Sequence, residues 1–177
     1  VRAIRFRVAA FTNLTQDHLD FHGSMEAYAA AKRMLFVDCE PGSAVVNVDD
    51  AFGASLVSAA RAPVVRVSCK LEPDAEIFPR EVRWSASGMT IELATPEKDV
   101  LVRTRLVGAH NLQNVVLAMG IAHALELDLE RAAAGIADEP GAPGRMERCD
   151  GPSDRIVVVV DYAHTPDALA RVLASLA

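Results

Sequence analysis

Apolar runs are short throughout the 177 residues, and none approaches the roughly 20 consecutive residues that span a bilayer. The opening Val1-Arg2-Ala3-Ile4-Arg5-Phe6-Arg7 carries charge with no apolar stretch behind it, so it does not read as a signal peptide. Cysteine is scarce: Cys39, Cys69 and Cys149 are odd in number and far apart, which fits neither zinc spacing nor a disulfide framework. A reducing cytoplasm is the expected compartment. Excess positive charge is missing too. The formal net charge is −6 and the isoelectric point about 5.3, which excludes an overall attraction to nucleic acid. Aromatic residues make up only 5%, yet 51% of the chain is hydrophobic, enough for a packed core and against wholesale disorder. No internal repeat or low-complexity tract is present.

The pattern along the chain is strand–helix–strand. Val8–Phe11 is a buried strand opening into a polar loop, Thr15 to Gly23. Ser24 is a helix N-cap with Glu26 in the first turn, and an alanine-rich helix runs from Met25 to Val37 with a stripe of Met25, Tyr28, Lys32, Leu35 and Phe36. Strands are expected near residues 43–48 and 63–68, with a helix between them, the alternation of parallel α/β layers. The next stretch alternates around Gly88 as an antiparallel hairpin, and Val100–Val107 alternates apolar and basic residues. Gly108-Ala109-His110-Asn111 opens a long helix, about 112–125, and a second helix covers about 128–137. After the turn-rich Gly141–Arg145, Ile156–Val160 is the purest strand pattern in the chain, with Thr165 and Pro166 starting a further helix. The fold class expected is α/β, a mostly parallel sheet with an antiparallel appendage. The abrupt start and the single strand and helix after the turn-rich stretch point to an internal segment of a longer protein.

Five groups carry chemistry. Asp17, His18, Asp20 and His22 follow a strand's C-terminal end, where ligands of open α/β sheets lie; they suit either a divalent metal or a solvated loop capping nearby backbone. Lys32 sits on an apolar stripe, where desolvation favours a neutral amine that can take up carbon dioxide as a carbamate; the alternative is a lysine reaching out to solvent. Asn111 and Asn114 share a helix face, and asparagine can pair with an adenine edge; the alternative is a capping residue with a polar neighbour. Arg145 can clamp phosphate from a turn, or be a surface arginine. Asp161 and His164 lie at a strand-to-helix switch facing any ligand held there, or cap the strand end.

Thr12-Asn-Leu-Thr-Gln-Asp-His-Leu-Asp-Phe-His-Gly23, Met25-Glu-Ala-Tyr-Ala-Ala-Ala-Lys32, Gly108-Ala-His-Asn-Leu-Gln-Asn-Val-Val-Leu-Ala118, Gly144-Arg-Met-Glu147 and Val160-Asp-Tyr-Ala-His-Thr-Pro-Asp-Ala-Leu169 resemble, in this order, the Mur ligase family, most nearly its MurE type. The resemblance covers nearly the whole chain. It implies residues 1–144 as part of a central ATPase domain. Residues 145–177 would be the hinge and the first β-α unit of a Rossmann-like C-terminal domain. It implies an ATP- and Mg2+-dependent amide ligase of peptidoglycan synthesis, working through an acyl phosphate. UDP-MurNAc-dipeptide and an amino acid, diaminopimelate or lysine, would be its substrates. It further implies a cytoplasmic monomer with no nucleic-acid partner and no membrane insertion. By resemblance, His18 binds magnesium and Lys32 is the carbamylated lysine acting with it; Asn111 and Asn114 hold the nucleotide, Asn111 more directly at adenine. Arg145 contacts the phosphates, Asp161 closes over the nucleotide, and His164 lies in the same motif. None of the ten glycines precedes a lysine, so the family's phosphate loop is not in this sequence, and the segment alone is expected to be inactive. Rival readings are a non-catalytic nucleotide or scaffold segment, a folate-adding relative, and a metal-dependent hydrolase built on His18, Asp20 and His22.

Overall fold

The computed structural model describes residues 4–15, 23–71, 73–85, 87–151, 154–164, 168–170 and 172–173. Three short strands rich in Val and Ala, β1 (Val8–Phe11), β2 (Ser43–Asn47) and β3 (Val64–Val67), form a parallel sheet in the order β1-β2-β3. Helix α1 (Met25–Val37) joins β1 to β2 and α2 (Ala51–Ala59) joins β2 to β3, the crossovers that parallel pairing requires. The Ser24 side chain accepts from Ala27 N–H at 3.2 Å, and Asp50 accepts from Phe52 and Gly53 N–H at 2.9 and 3.1 Å, so both helices start on side-chain caps.

Alternation along β2 divides the interior. Ala44 and Val46 pack with Ala9, Phe11, Phe36 and Leu56 on the side of α1 and α2. Val45 points the other way and joins Val67, Val116 and Met119 beneath α3 (Ala109–Ala124). The sheet is therefore covered on both faces, which explains its nearly unbroken apolar strands. At Gly120 of α3 a Cβ would lie 2.7 Å from both Val45 Cγ1 and Val67 Cγ1, so the helix rests on the sheet at the distance only glycine permits.

A second sheet is antiparallel, in the order β4 (Phe78–Ser85), β5 (Gly88–Ala94) and β6 (Val100–Thr104). Gly88 at φ +146° turns the hairpin, and the Thr104 carbonyl occupies the place a Cβ would take, at 1.9 Å. A parallel bridge from Val67 to Ile77 joins this appendage to β3. Helix α4 (Leu129–Asp138), capped by Asp128, packs against β6 and α3.

The expected strand at 156–160 is shorter in the structure. Only β8 (Val159–Val160) is extended into a ladder, paired with β7 (Glu147–Arg148), and Ile156 is 73% exposed. The β-branched residues have the right propensity, but a two-residue partner strand gives them no sheet to enter.

Candidate functional site

Helix α3 runs against the direction of the parallel strands. Gly120 rests on the C-terminal end of β3 at Val67, while Ala124 and Val65 line one cavity at its N-terminal end. Its first turns therefore emerge toward the C-terminal side of the sheet. Among the described residues no side chain caps α3; Gly108 takes the N-cap position at φ 92°. The helix starts at Ala109, three residues before the expected Leu112, because the Gly108 carbonyl already accepts from Asn111 and Leu112 N–H.

Beside these turns lies a cleft of about 540 Å³, within the usual range for small-ligand sites, walled by His110, Asn111, Asn114, Arg145, Asp161 and His164 among others. Asn111, Asn114, Arg145, Asp161 and His164 are thus brought together from two segments. Lys32 is elsewhere. His18, with Asp17, Asp20 and His22, lies outside the described residues.

The two asparagines differ in role. Asn111 is 8% exposed and both ends of its amide are engaged: Nδ2 donates to the Val107 carbonyl at 2.8 Å and Oδ1 accepts from Asn114 Nδ2 at 3.2 Å. Asn114 is exposed and keeps its oxygen and one N–H for the cleft. Asn111 therefore fixes which way the Asn114 amide faces.

The opposite wall is a strap built from two turns. Asp161 accepts from Met146 N–H at 2.9 Å and from Ala163 N–H at 2.7 Å, one bond to each carboxylate oxygen, and Tyr162 N–H donates to the Gly144 carbonyl at 2.9 Å. Met146 is buried at φ 50°, a left-handed conformation held by that bonding. The guanidinium carbon of Arg145 lies 5.0 Å over the Tyr162 ring, and the His164 ring meets Tyr162 edge-on at 4.9 Å. His164 Nδ1 is 3.0 Å from the Tyr162 carbonyl, which can only accept, so Nδ1 carries the proton. Burial pushes the His110 imidazole below its ordinary value, partly opposed by the Asp161 charge, so the ring is uncharged at neutral pH. His110 and Tyr162 were not among the expected site residues, although both stand inside the motifs that carried them.

Other clefts suit an anion less well. One at the far end of α3 is walled by Glu97, Glu126 and Asp128 with His123, and one along β6 by Asp99, Glu130 and Asp138 with Arg103, against Glu139 and Asp161 with Arg145 in the cleft beside α3.

Lys32 lies at the end of β1. Its Nζ donates to the Asn13 carbonyl at 2.8 Å and stands 4.7 Å from the Tyr28 ring centre and 5.7 Å from that of Phe11. The Asn13 loop is itself pinned, with Asn47 Nδ2 donating to the Thr12 carbonyl at 2.8 Å and Leu14 N–H to Asp50 at 2.9 Å. Among the described residues no group of three His, Cys, Asp or Glu side chains is placed to hold a metal ion. The Asn13 bond uses one N–H, which a carbamylated lysine keeps.

Comparison with known proteins bears on the fold and the family. The Mur ligase middle domain matches residues 1–122. The UDP-N-acetylmuramoyl-L-alanyl-D-glutamate--2,6-diaminopimelate ligase of Gloeobacter violaceus is 46% identical over 174 residues, covering 98% of this chain and 35% of that protein. Its namesake from Trichormus variabilis is 43% identical over 170 residues, 95% of this chain and 34% of that one. A solved structure of a ligase of the same name superposes with a TM-score of 0.82 at 34% identity, over 96% of this chain and 35% of the other. The chain spans about a third of the length of these relatives. From the matched domain, the shared fold and the ordered motifs, the chain belongs to the Mur ligase family.

Proposed function

We propose that the cleft between α3 and the strap takes ATP. In this reading, residues 1–144 belong to the central domain of a MurE-type ligase and residues 145–177 to its hinge and the start of its C-terminal domain. The observation that carries this is the convergence of Asn114, Arg145, Asp161 and His164, backed by Asn111, on one cleft. The exposed Asn114 amide can accept from the exocyclic amine of adenine and donate to its N7. The uncharged His110 ring can lie against the base without a desolvated charge. Arg145 supplies the cation for the phosphates, helped by the positive end of the uncapped α3.

Magnesium, when bound, neutralises charge on the phosphate oxygens; carbamylated Lys32 and His18 are the residues we assign to it. The relatives are named for 2,6-diaminopimelate, which supports that amino acid as the one joined to UDP-MurNAc-L-alanyl-D-glutamate by the whole protein. We place that protein in the cytoplasm as a monomer. The reading is tested by giving the complete ligase ATP, Mg2+ and UDP-MurNAc-L-alanyl-D-glutamate with diaminopimelate or lysine, and separately dihydropteroate with glutamate. Phosphate release with diaminopimelate is expected. Release only with dihydropteroate, or with neither acceptor, overturns it. The 177-residue chain by itself is expected to release none.

A further inference from the structure

We propose that Tyr162 is a positioning residue that presents the Arg145 guanidinium to the cleft. The inference rests on reading the cleft as a nucleotide site. Its geometry is overdetermined. Gly144, before Arg145, accepts from Tyr162 N–H at 2.9 Å, and Met146, after it, donates to Asp161 at 2.9 Å, the residue before Tyr162. The neighbours of Arg145 are thus bonded to Tyr162 and its neighbour, which sets the two side chains next to one another. The guanidinium then lies 5.0 Å over the ring face.

The ring has its own support. His164 meets it edge-on at 4.9 Å and donates from Nδ1 to the Tyr162 carbonyl at 3.0 Å. Tyr162 is 64% exposed, so it fills no core, and its loss opens no cavity. What the ring does is restrict a long, rotamer-rich side chain that would otherwise sample solvent, so less order is lost when phosphate arrives. The ring face, not the hydroxyl, makes that contact.

The experiment uses Tyr162→Leu, Tyr162→Phe, Arg145→Ala and the Tyr162→Leu/Arg145→Ala pair in the complete ligase. Binding of a non-hydrolysable ATP analogue is followed by calorimetry, and kcat and KM for ATP are measured alongside. Tyr162→Leu should weaken analogue binding and raise KM roughly two- to fivefold, the size of an exposed cation–π contact, with kcat little changed. Tyr162→Phe should behave as wild type. In the Arg145→Ala background, Tyr162→Leu should add nothing. Wild-type affinity in Tyr162→Leu, full additivity with Arg145→Ala, or equal loss in Tyr162→Phe each overturns the proposal while leaving the nucleotide reading standing. A wild-type enzyme that fails to bind the analogue overturns that reading, and this inference with it.

Discussion

Gly53→Ala should destabilise the chain although it improves helix propensity. Gly53 sits in the first turn of α2, and a Cβ there would lie 2.1 Å from the Asn47 carbonyl oxygen and 2.8 Å from the Phe11 ring. Ordinary carbon contacts are roughly 3.5–4 Å, so α2 must retreat by more than about 1 Å. The obstruction is backbone and a buried ring, which sets the overpacking cost near ~3 kcal/mol, at the top of the common range. Alanine returns about 1 kcal/mol of helix propensity. The net loss is about 2 kcal/mol, or a fall in Tm of roughly 4–8 °C for a chain of this size. Gly135 of α4 is the matched control: among the described residues nothing lies within 4 Å of its would-be Cβ, so Gly135→Ala should gain up to about 1 kcal/mol. Calorimetric melting of the two variants beside wild type decides. A Gly53→Ala chain melting at or above wild type, with Gly135→Ala stabilised, would refute the packing argument. The site is involved as well, because Asn47 also holds the Thr12 carbonyl next to the acceptor of Lys32.

Asp161→Ala should free the strap: amide exchange at Met146 and Ala163 is expected to accelerate about tenfold or more, since each loses a charge-assisted bond worth roughly 1.5–3 kcal/mol. Unchanged exchange would contradict it. Burial, and then the Asp49 charge, push the Cys69 thiol up to about 12, so alkylation at pH 8 should mark exposed Cys149 and spare Cys69 until the chain unfolds; equal labelling would count against this. Burial raises Glu76, but bonds from the Arg66 side chain and backbone outweigh it and hold the carboxyl below its ordinary value. A depressed carboxyl stabilises above its unfolded value, and that contribution is lost as the pH falls through the folded one. Glu76→Gln should therefore flatten the acid limb of the stability curve below the ordinary glutamate range, and an unaltered limb would show that Glu76 is not responsible.

The sequence was most informative where local chemistry decides. Ser24, the alanine run and the absence of Gly or Pro set α1 at Met25–Val37, as expected from the residues alone. The hairpin about Gly88 was equally plain, because a β-turn glycine interrupts a period-two pattern. Ile156–Val160 was not, since a β-branched run looks the same whether or not a neighbouring strand receives it. Spacing put Asn111 and Asn114 on one face but could not reveal that one is buried and steers the other, because that depends on where the Val107 carbonyl points. The stack of Arg145 on Tyr162 was hidden for the same reason: the residues are seventeen apart, and only the bonds between the two turns bring them together.

Nucleotide binding in the cleft between α3 and the strap is tested most directly by photolabelling the complete ligase with 2-azido-ATP. Label is predicted in the peptides containing residues 106–114 and 139–164, blocked by excess ATP and reduced by Asn114→Ala. ATP-protected label confined to residues 97–103 or 126–138, which wall the acidic clefts, would contradict it.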